Sequence, residues 1–347
     1  MKQVFWGGIT LSATLGAASG QEVLYVSHQN DSTVMVIDTA TNAIVDTIPV
    51  GSAPQDMALL PDGSMLYVVN AGDGTVSVID TGTNTVVDTI VVGNNPIGAA
   101  IHPDGSMVYV SNTEDNTVSF IETAGNTVVD TVTVGEDPVG LEISPDATIL
   151  YVANREDDTV SVISTSTNTV IATIPVGDFP LQMAISPNGA LVYVPNLGED
   201  TISIIYAATN TVVATVPSGP APLVVAIHPS HDHLAYVTNA DHDTVDVFDL
   251  ASHALVTSIE VKEGPWSIAF TSDGGTMYVN SFDSDAVTIV DTATHQVIDA
   301  IGVGDGPVDL VVSPTGPCLA DVNGDLALNI LDFVTFQGLF VAGCPGY

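Results

Sequence analysis

The chain has 347 residues and sets 41 Asp and Glu against 3 Lys and Arg, a formal net charge of -38 at pH 7. A surface of that sign repels phosphate, which sets nucleic acid and anionic membranes aside as partners and leaves cations, an extracellular protein or a neutral glycan. Hydrophobic residues make up 46%, too many for a disordered acidic tail, so the chain can bury a large core.

Residues Met1 to Gly20 place one Lys before an apolar run from Val4 to Ala18 and end in small residues. This is the layout of a secretory signal peptide, and the run falls short of the roughly 20 apolar residues that span a bilayer. The reading is cleavage near Gly20 and a secreted, extracellular or cell-surface location, with no membrane span after cleavage. Arg155 and Lys262 are then the only basic residues.

From Glu22 onward the chain is periodic. Tyr-Val recurs with Tyr at 25, 67, 109, 151, 193, 236 and 278, spacings of 42 except for one of 43. In the second period Leu66 to Asn70, Thr75 to Asp80, Val86 to Val92 and Pro96 to His102 are short runs rich in Val, Ile and Thr. Clusters of Asn, Asp, Gly and Pro separate them. Such runs are strands joined by tight turns, and four per 42 residues is the spacing of a propeller blade. Helical solenoids are disfavoured because β-branched residues dominate these runs. The expected fold is therefore all-β: a seven-bladed propeller of four-stranded antiparallel blades over 22–316. The first strand, Val23 to His28, and the last, Pro307 to Ser313, are expected to share one blade and so close the ring.

The segments YVxN, TVSVIDTxTN, VVDTIxVG and PxxxAISPDG resemble the YVTN β-propeller repeat family of secreted and surface-layer-type proteins. The resemblance covers about residues 22 to 316 and implies the same seven-bladed ring.

The loops after YVxN, such as 154–159, and those before the innermost strand, such as 177–180, are predicted to share one face. Ligand sites favour such a face. Asp31, Asp73, Asp115, Asp158, Asp200, Asp243 and Asp285 recur there, with Asp56, Asp137, Asp178, Glu263 and Asp305 nearer the channel. They read either as a carboxylate ring for cations or as solvated turns in which Asp bonds its own backbone. Arg155 and Lys262 fall on this face as candidate anion clamps beside Asp137, Asp178 and Asp305, or as partners of neighbouring Glu. The His228 to His233 turn, with His253, reads as a transition-metal site or simply as a turn.

After Pro317 the period stops. Oxygen side chains at Asp321, Asn323, Asp325, Asn329 and Asp332, with Ala327 at the backbone-carbonyl position, have the spacing of an EF-hand-type calcium loop. Residues 329–340 carry an apolar stripe at helical spacing, and Cys318 and Cys344 bracket the unit as an expected disulfide. The pattern resembles one half of a type I dockerin repeat. Leu326 where Gly is usual, and the single copy, argue against a cohesin-type partner. The expected domains are a signal peptide over 1–20, the propeller over 22–316 and a calcium segment over 317–347.

No GxSxG elbow, haem-attachment motif or phosphate loop appears, and nearly every candidate acid has counterparts in the other repeats. The sequence alone assigns no catalytic residue and no cofactor besides calcium. It favours a non-enzymatic binding scaffold with a calcium-binding attachment module over its alternative, an extracytoplasmic lactonase-like hydrolase or dehydrogenase of the propeller class. The depletion of Lys and Arg predicts a melting temperature that rises between low and marine-like ionic strength as screening relieves self-repulsion. A flat or falling curve would contradict it.

Overall fold

The computed structural model describes residues 22–313 except 232. Its 28 strands form seven four-stranded antiparallel sheets. Contacts between successive innermost strands run around a closed cycle, so the sheets are blades of one ring. Blade 1 is Pro307–Val312, Val23–His28, Thr33–Asp38 and Ala43–Pro49. The innermost strands of blades 2 to 7 are Pro54–Leu59, Pro96–Ile101, Pro138–Ile143, Ala184–Ile185, Pro222–Ile227 and Pro265–Phe270. The ring closes as the sequence predicts: the two ends of the propeller pair antiparallel, with Tyr25 opposite Val311. Val23 N–H is also donated to Ser313 Oγ at 2.9 Å.

Burial follows the strand order within a blade. The YVxN strands are buried throughout, with Tyr25, Tyr67, Tyr109, Tyr236 and Tyr278 among the largest fully enclosed side chains. The outermost strands, such as Thr85–Val91, are mostly exposed. Neighbouring blades are stapled at the rim, where Asn84, Asn126 and Asn168 donate to Asp46, Asp88 and Asp130 of the preceding blade at 3.2, 3.1 and 2.8 Å. Each of these Asn residues sits at positive φ, a conformation Asn tolerates well.

Near the axis the residue between Val and Asn of YVxN stitches innermost strands together. Ser27 Oγ accepts from Asp309 N and donates to Gln55 O. Ser111 links Gly98 to Val139 in the same way, and Thr238 links Val224 to Trp266. In blade 5 the equivalent residue is Pro195, which has no hydroxyl. There the innermost strand shrinks to two residues, and Gln182 bonds sideways to blade 6, its carbonyl accepting from Val225 N at 3.1 Å.

One departure from the repeat is compensated by another. Gly51, Gly93, Gly135, Gly177 and Gly219 precede the innermost strands, and a Cβ on any of them would meet an Asn side chain at 2.5 to 2.7 Å. Blade 7 has Lys262 at that position and Ser281 in place of the Asn, with Ser281 Oγ donating to Lys262 O at 3.0 Å. Ser281→Asn is expected to cost about 2 kcal/mol, a usual overpacking penalty. The loss should vanish in Ser281→Asn with Lys262→Gly, which a thermal double-mutant cycle would measure; additive losses would refute the pairing.

Candidate functional site

The innermost strands are bulged at their starts. In blade 2 the pairing jumps from Pro54 opposite Asn70 to Met57 opposite Val68, and blades 3, 4, 6 and 7 jump at the same place. A bulge re-aims the side chains it carries. Here these residues line a cavity of about 580 Å³ on the ring axis.

At the second position after the strand's Pro, the seven blades carry Asp309, Asp56, Gly98, Gly140, Gln182, Val224 and Ser267 in ring order from blade 1. Two positions further on, Ala or Val is the rule and blade 4 alone has Glu142. The channel is thus chemically lopsided, although the ring around it is repetitive. Gly98 and Gly140 keep one wall low, because a Cβ there would strike the Val139 or Leu181 carbonyl.

Asp309 and Asp56 stand on adjacent strands. Met57 N–H donates to Asp56 Oδ1 at 2.8 Å and to Asp309 Oδ2 at 3.0 Å. Ala99 N–H donates to Asp56 Oδ2 at 2.9 Å, and Ser267 Oγ donates to Asp309 Oδ1 at 2.8 Å. Burial, and then the neighbouring Asp309 charge, push the Asp56 carboxyl well above the usual carboxylate range. Burial also raises Asp309, while its bonds from Ser267 and Asp56 oppose the rise. Two such carboxyls share a proton, because low dielectric disfavours two adjacent charges. Burial and the Asp309 charge both favour the proton on Asp56, whereas the Ser267 hydroxyl bond favours the charged form of Asp309. Glu142, deeper in the channel, is pushed up to about 8 by burial, so at neutral pH it also stands mainly as a neutral acid.

The channel mouth is rimmed by Asn95, Thr113, Arg155 and Trp266. Arg155 Nε and Nη2 both lie 2.5 Å from Asp137 Oδ2. Of the residues singled out from the sequence, Arg155 lines the cavity and Asp137 holds it, but Lys262, Asp178 and Asp305 do not line it. Lys262 and Asp178 are exposed, and Asp305 accepts from Asn30 Nδ2 at 2.7 Å. The recurrent acids are engaged in loop closure: Asp73 and Asp115 accept from Ser52 N and Asn94 N, and Asp158 and Asp200 from Phe179 N and Ala221 N. These bonds tie each acid to the loop before the innermost strand of the same or next blade, 21 residues away, rather than to its own turn.

In the histidine turn, His228 is fully buried with both ring nitrogens engaged. Nδ1 accepts from Ser230 N and His231 N, and Nε2 donates to the Gly274 carbonyl at 2.9 Å. It clamps blade 6 to blade 7, and among the described residues no cluster of three His, Cys, Asp or Glu could hold a metal ion. The expected signal peptide, calcium ligands Asp321 to Asp332 and Cys318–Cys344 disulfide lie outside the described residues.

Sequence reading missed the channel pair and Glu142. Asp56 was grouped with loop acids and Asp309 with the closing strand. The signal that finds them is alignment of the seven innermost strands, where each breaks a column of small or apolar residues.

The chain is a seven-bladed β-propeller, and comparison with known proteins agrees. Residues 51–172 match the model of the family described as Lactonase, 7-bladed beta-propeller, and residues 183–319 match that of the Cytochrome D1 heme domain. No curated protein matches the sequence. Among solved structures, hydrazine synthase of Kuenenia stuttgartiensis is similar at 20% identity and a TM-score of 0.68, over 76% of this chain and 92% of that one. A functionally unknown protein from Desulfotomaculum acetoxidans aligns at 19% identity and 0.75, covering 84% and 99%. Dihydro-heme d1 dehydrogenase NirN in complex with DHE aligns at 17% and 0.65, covering 85% and 75%. At these identities the structural likeness shows the fold.

These findings correct two expectations. The matched models describe a lactonase and a haem domain, which favours the enzyme alternative over the non-enzymatic scaffold. They also point to haem rather than calcium as the cofactor of similar proteins.

The channel itself does not suit haem. Among the described residues its lining has no His, Cys, Lys or Tyr to bind the iron. Met57 and Met183, the only thioethers in the lining, are buried in the cores of their blades. Asp56, Asp309 and Glu142 offer a haem's own carboxylates no cation, and the one cation among the described lining residues, Arg155, is paired with Asp137.

Proposed function

We propose that the protein is an extracytoplasmic hydrolase of the lactonase-like propeller class, opening a cyclic ester in the central channel. One observation carries the reading: Asp56 and Asp309 form an asymmetric, proton-sharing carboxyl pair where the innermost strands of blades 1 and 2 break the sevenfold repeat. The match over 51–172 supports it. Export is inferred from the leader-like residues 1–20, and the YVTN-type assignment of the repeat from its residues.

In this mechanism a water oxygen adds to the lactone carbonyl carbon while unprotonated Asp309 takes its proton. Protonated Asp56 then delivers its proton to the ring oxygen as the carbon–oxygen bond breaks, giving the hydroxy acid. Transfer of the proton from Asp309 to Asp56 across their hydrogen bond restores the starting state. Met57 N–H, Ala99 N–H and Ser267 Oγ hold the two carboxyls in place.

The test is base uptake in a pH-stat with simple γ- and δ-lactones and purified protein. Turnover above the spontaneous rate is expected; none with any lactone would overturn the reading.

A further inference from the structure

The channel mouth holds a cation that is already neutralised. Among the described residues Arg155 is the only Lys, Arg or His lining the cavity, and Asp137 takes its guanidinium in a 2.5 Å ion pair. Deeper in, three carboxyls wait: Asp56, Asp309 and Glu142. A phosphate or carboxylate entering this space would leave water for a site without a free positive charge and would meet the ionised Asp309, and like charges brought together in a poorly hydrated site repel strongly.

What the cavity offers is an aromatic face and neutral hydrogen-bonding groups. Trp266 is 39% exposed. In the other six blades the same position carries Val308, Gln55, Ile97, Val139, Leu181 and Leu223, so it is the one aromatic residue of its column. Its ring lies 5.5 Å from that of Phe282, and its carbonyl is tied to Thr238 Oγ1 at 3.0 Å. Gln182, Asn95 and Thr113 add amide and hydroxyl groups, and the protonated Asp56 and Glu142 add acid O–H donors. Such a lining satisfies hydroxyls in several directions, and about 580 Å³ admits a single sugar-sized ring.

We propose that the channel selects uncharged, hydroxyl-bearing ring lactones and rejects the same rings carrying an anionic group, with Trp266 as the stacking surface and Asp137 keeping Arg155 from acting as an anion clamp. This rests on the hydrolase reading above. Trp266 and Asp137 are specificity residues that do not touch the transferred protons.

The experiment compares D-galactono-γ-lactone with its analogue oxidised to a carboxylate at C6, by hydrolysis and by quenching of tryptophan fluorescence, Trp266 being the only tryptophan among the described residues. The parent protein should prefer the uncharged lactone by about 100-fold in kcat/KM, the scale of a like-charge penalty. Asp137→Asn, which the αL position of residue 137 accommodates, should raise kcat/KM for the carboxylate by about tenfold and leave the uncharged lactone unchanged, as a freed charge-assisted bond would. Trp266→Leu should raise KM about tenfold, a stacking-sized 1.4 kcal/mol, with kcat nearly kept. Equal turnover of the two lactones by the parent, or no gain in Asp137→Asn, would overturn the proposal while leaving the hydrolase reading intact. Quenching by the uncharged lactone alone, without hydrolysis of either, would uphold the selection and overturn the hydrolase. Neither quenching nor hydrolysis would overturn both.

Discussion

Asp56→Asn and Asp309→Asn are each expected to lower kcat/KM for lactone hydrolysis by about 10³-fold, within the range that positioned proton transfer supplies. The two carboxyls act as one unit sharing one proton, so the double variant should be hardly worse than either single one. Asn keeps one acceptor oxygen: in Asp56→Asn it serves Ala99 N–H while Met57 N–H keeps Asp309 Oδ2, and in Asp309→Asn it serves Met57 N–H while the Ser267 hydroxyl turns to accept from the new amide. The fold should therefore survive, and an unchanged melting profile would confirm that activity alone is lost. The pH dependence follows from the same pair. Activity needs Asp309 unprotonated and Asp56 protonated, so kcat/KM should fall in acid as the pair takes a second proton and in base as the last one leaves. Because burial raises both carboxyls, the plateau should lie above the range of ordinary carboxylates. Activity rising monotonically with pH, with either variant unaffected, would mean that hydroxide rather than the pair performs the chemistry.

The ring was legible in the sequence because its determinants are local and sevenfold. Tyr25 to Tyr278 mark the same buried strand each time, and the closing pairing of Val23–His28 with Pro307–Val312 follows from which strand type stands at each end. The recurrence of the loop acids was legible for the same reason, but their partners were not, since Asp73 and Asp158 bond backbone N–H groups 21 residues away rather than in their own turns. The site was hidden because its parts are 253 residues apart in the chain and become neighbours only when blade 1 closes beside blade 2. Asp309 bonds the amide of Met57 across that seam, and nothing in the local sequence of either residue announces it. Lys262 shows the converse. It looked functional as a rare cation, yet its presence is tied to Ser281, a steric exchange between a loop position and the last residue of the facing strand.

Glu142→Gln is expected to stabilise the fold at alkaline pH and to leave it unchanged in acid. The carboxyl rises from 4.5 unfolded to about 8 folded, with burial as the cause and no hydrogen bond to the charged form. A group whose folded value is raised contributes its full stability below the unfolded value and loses it as pH climbs through the folded one. The parent should therefore weaken progressively from about pH 4.5 to pH 8, whereas Glu142→Gln, with nothing to ionise, should not. At ~1.4 kcal/mol per unit the full shift sets an upper bound near 5 kcal/mol. Water reaching the carboxyl from the channel reduces it, and a gain of about 3 kcal/mol at pH 8 is expected, several degrees in melting temperature. Asp56 and Asp309 face the same cavity and are raised too, so their ionisation adds to the parent's slope but cancels in the comparison. Glu142→Ala supplies the independent check: it installs the residue found at this position in blades 2, 3, 5, 6 and 7, and should match Gln in its pH response while adding the cavity left by the missing side chain. A melting difference between parent and Glu142→Gln that stays constant from pH 5 to pH 8.5 would show that Glu142 is solvated in the folded ring and carries no proton of its own at neutral pH.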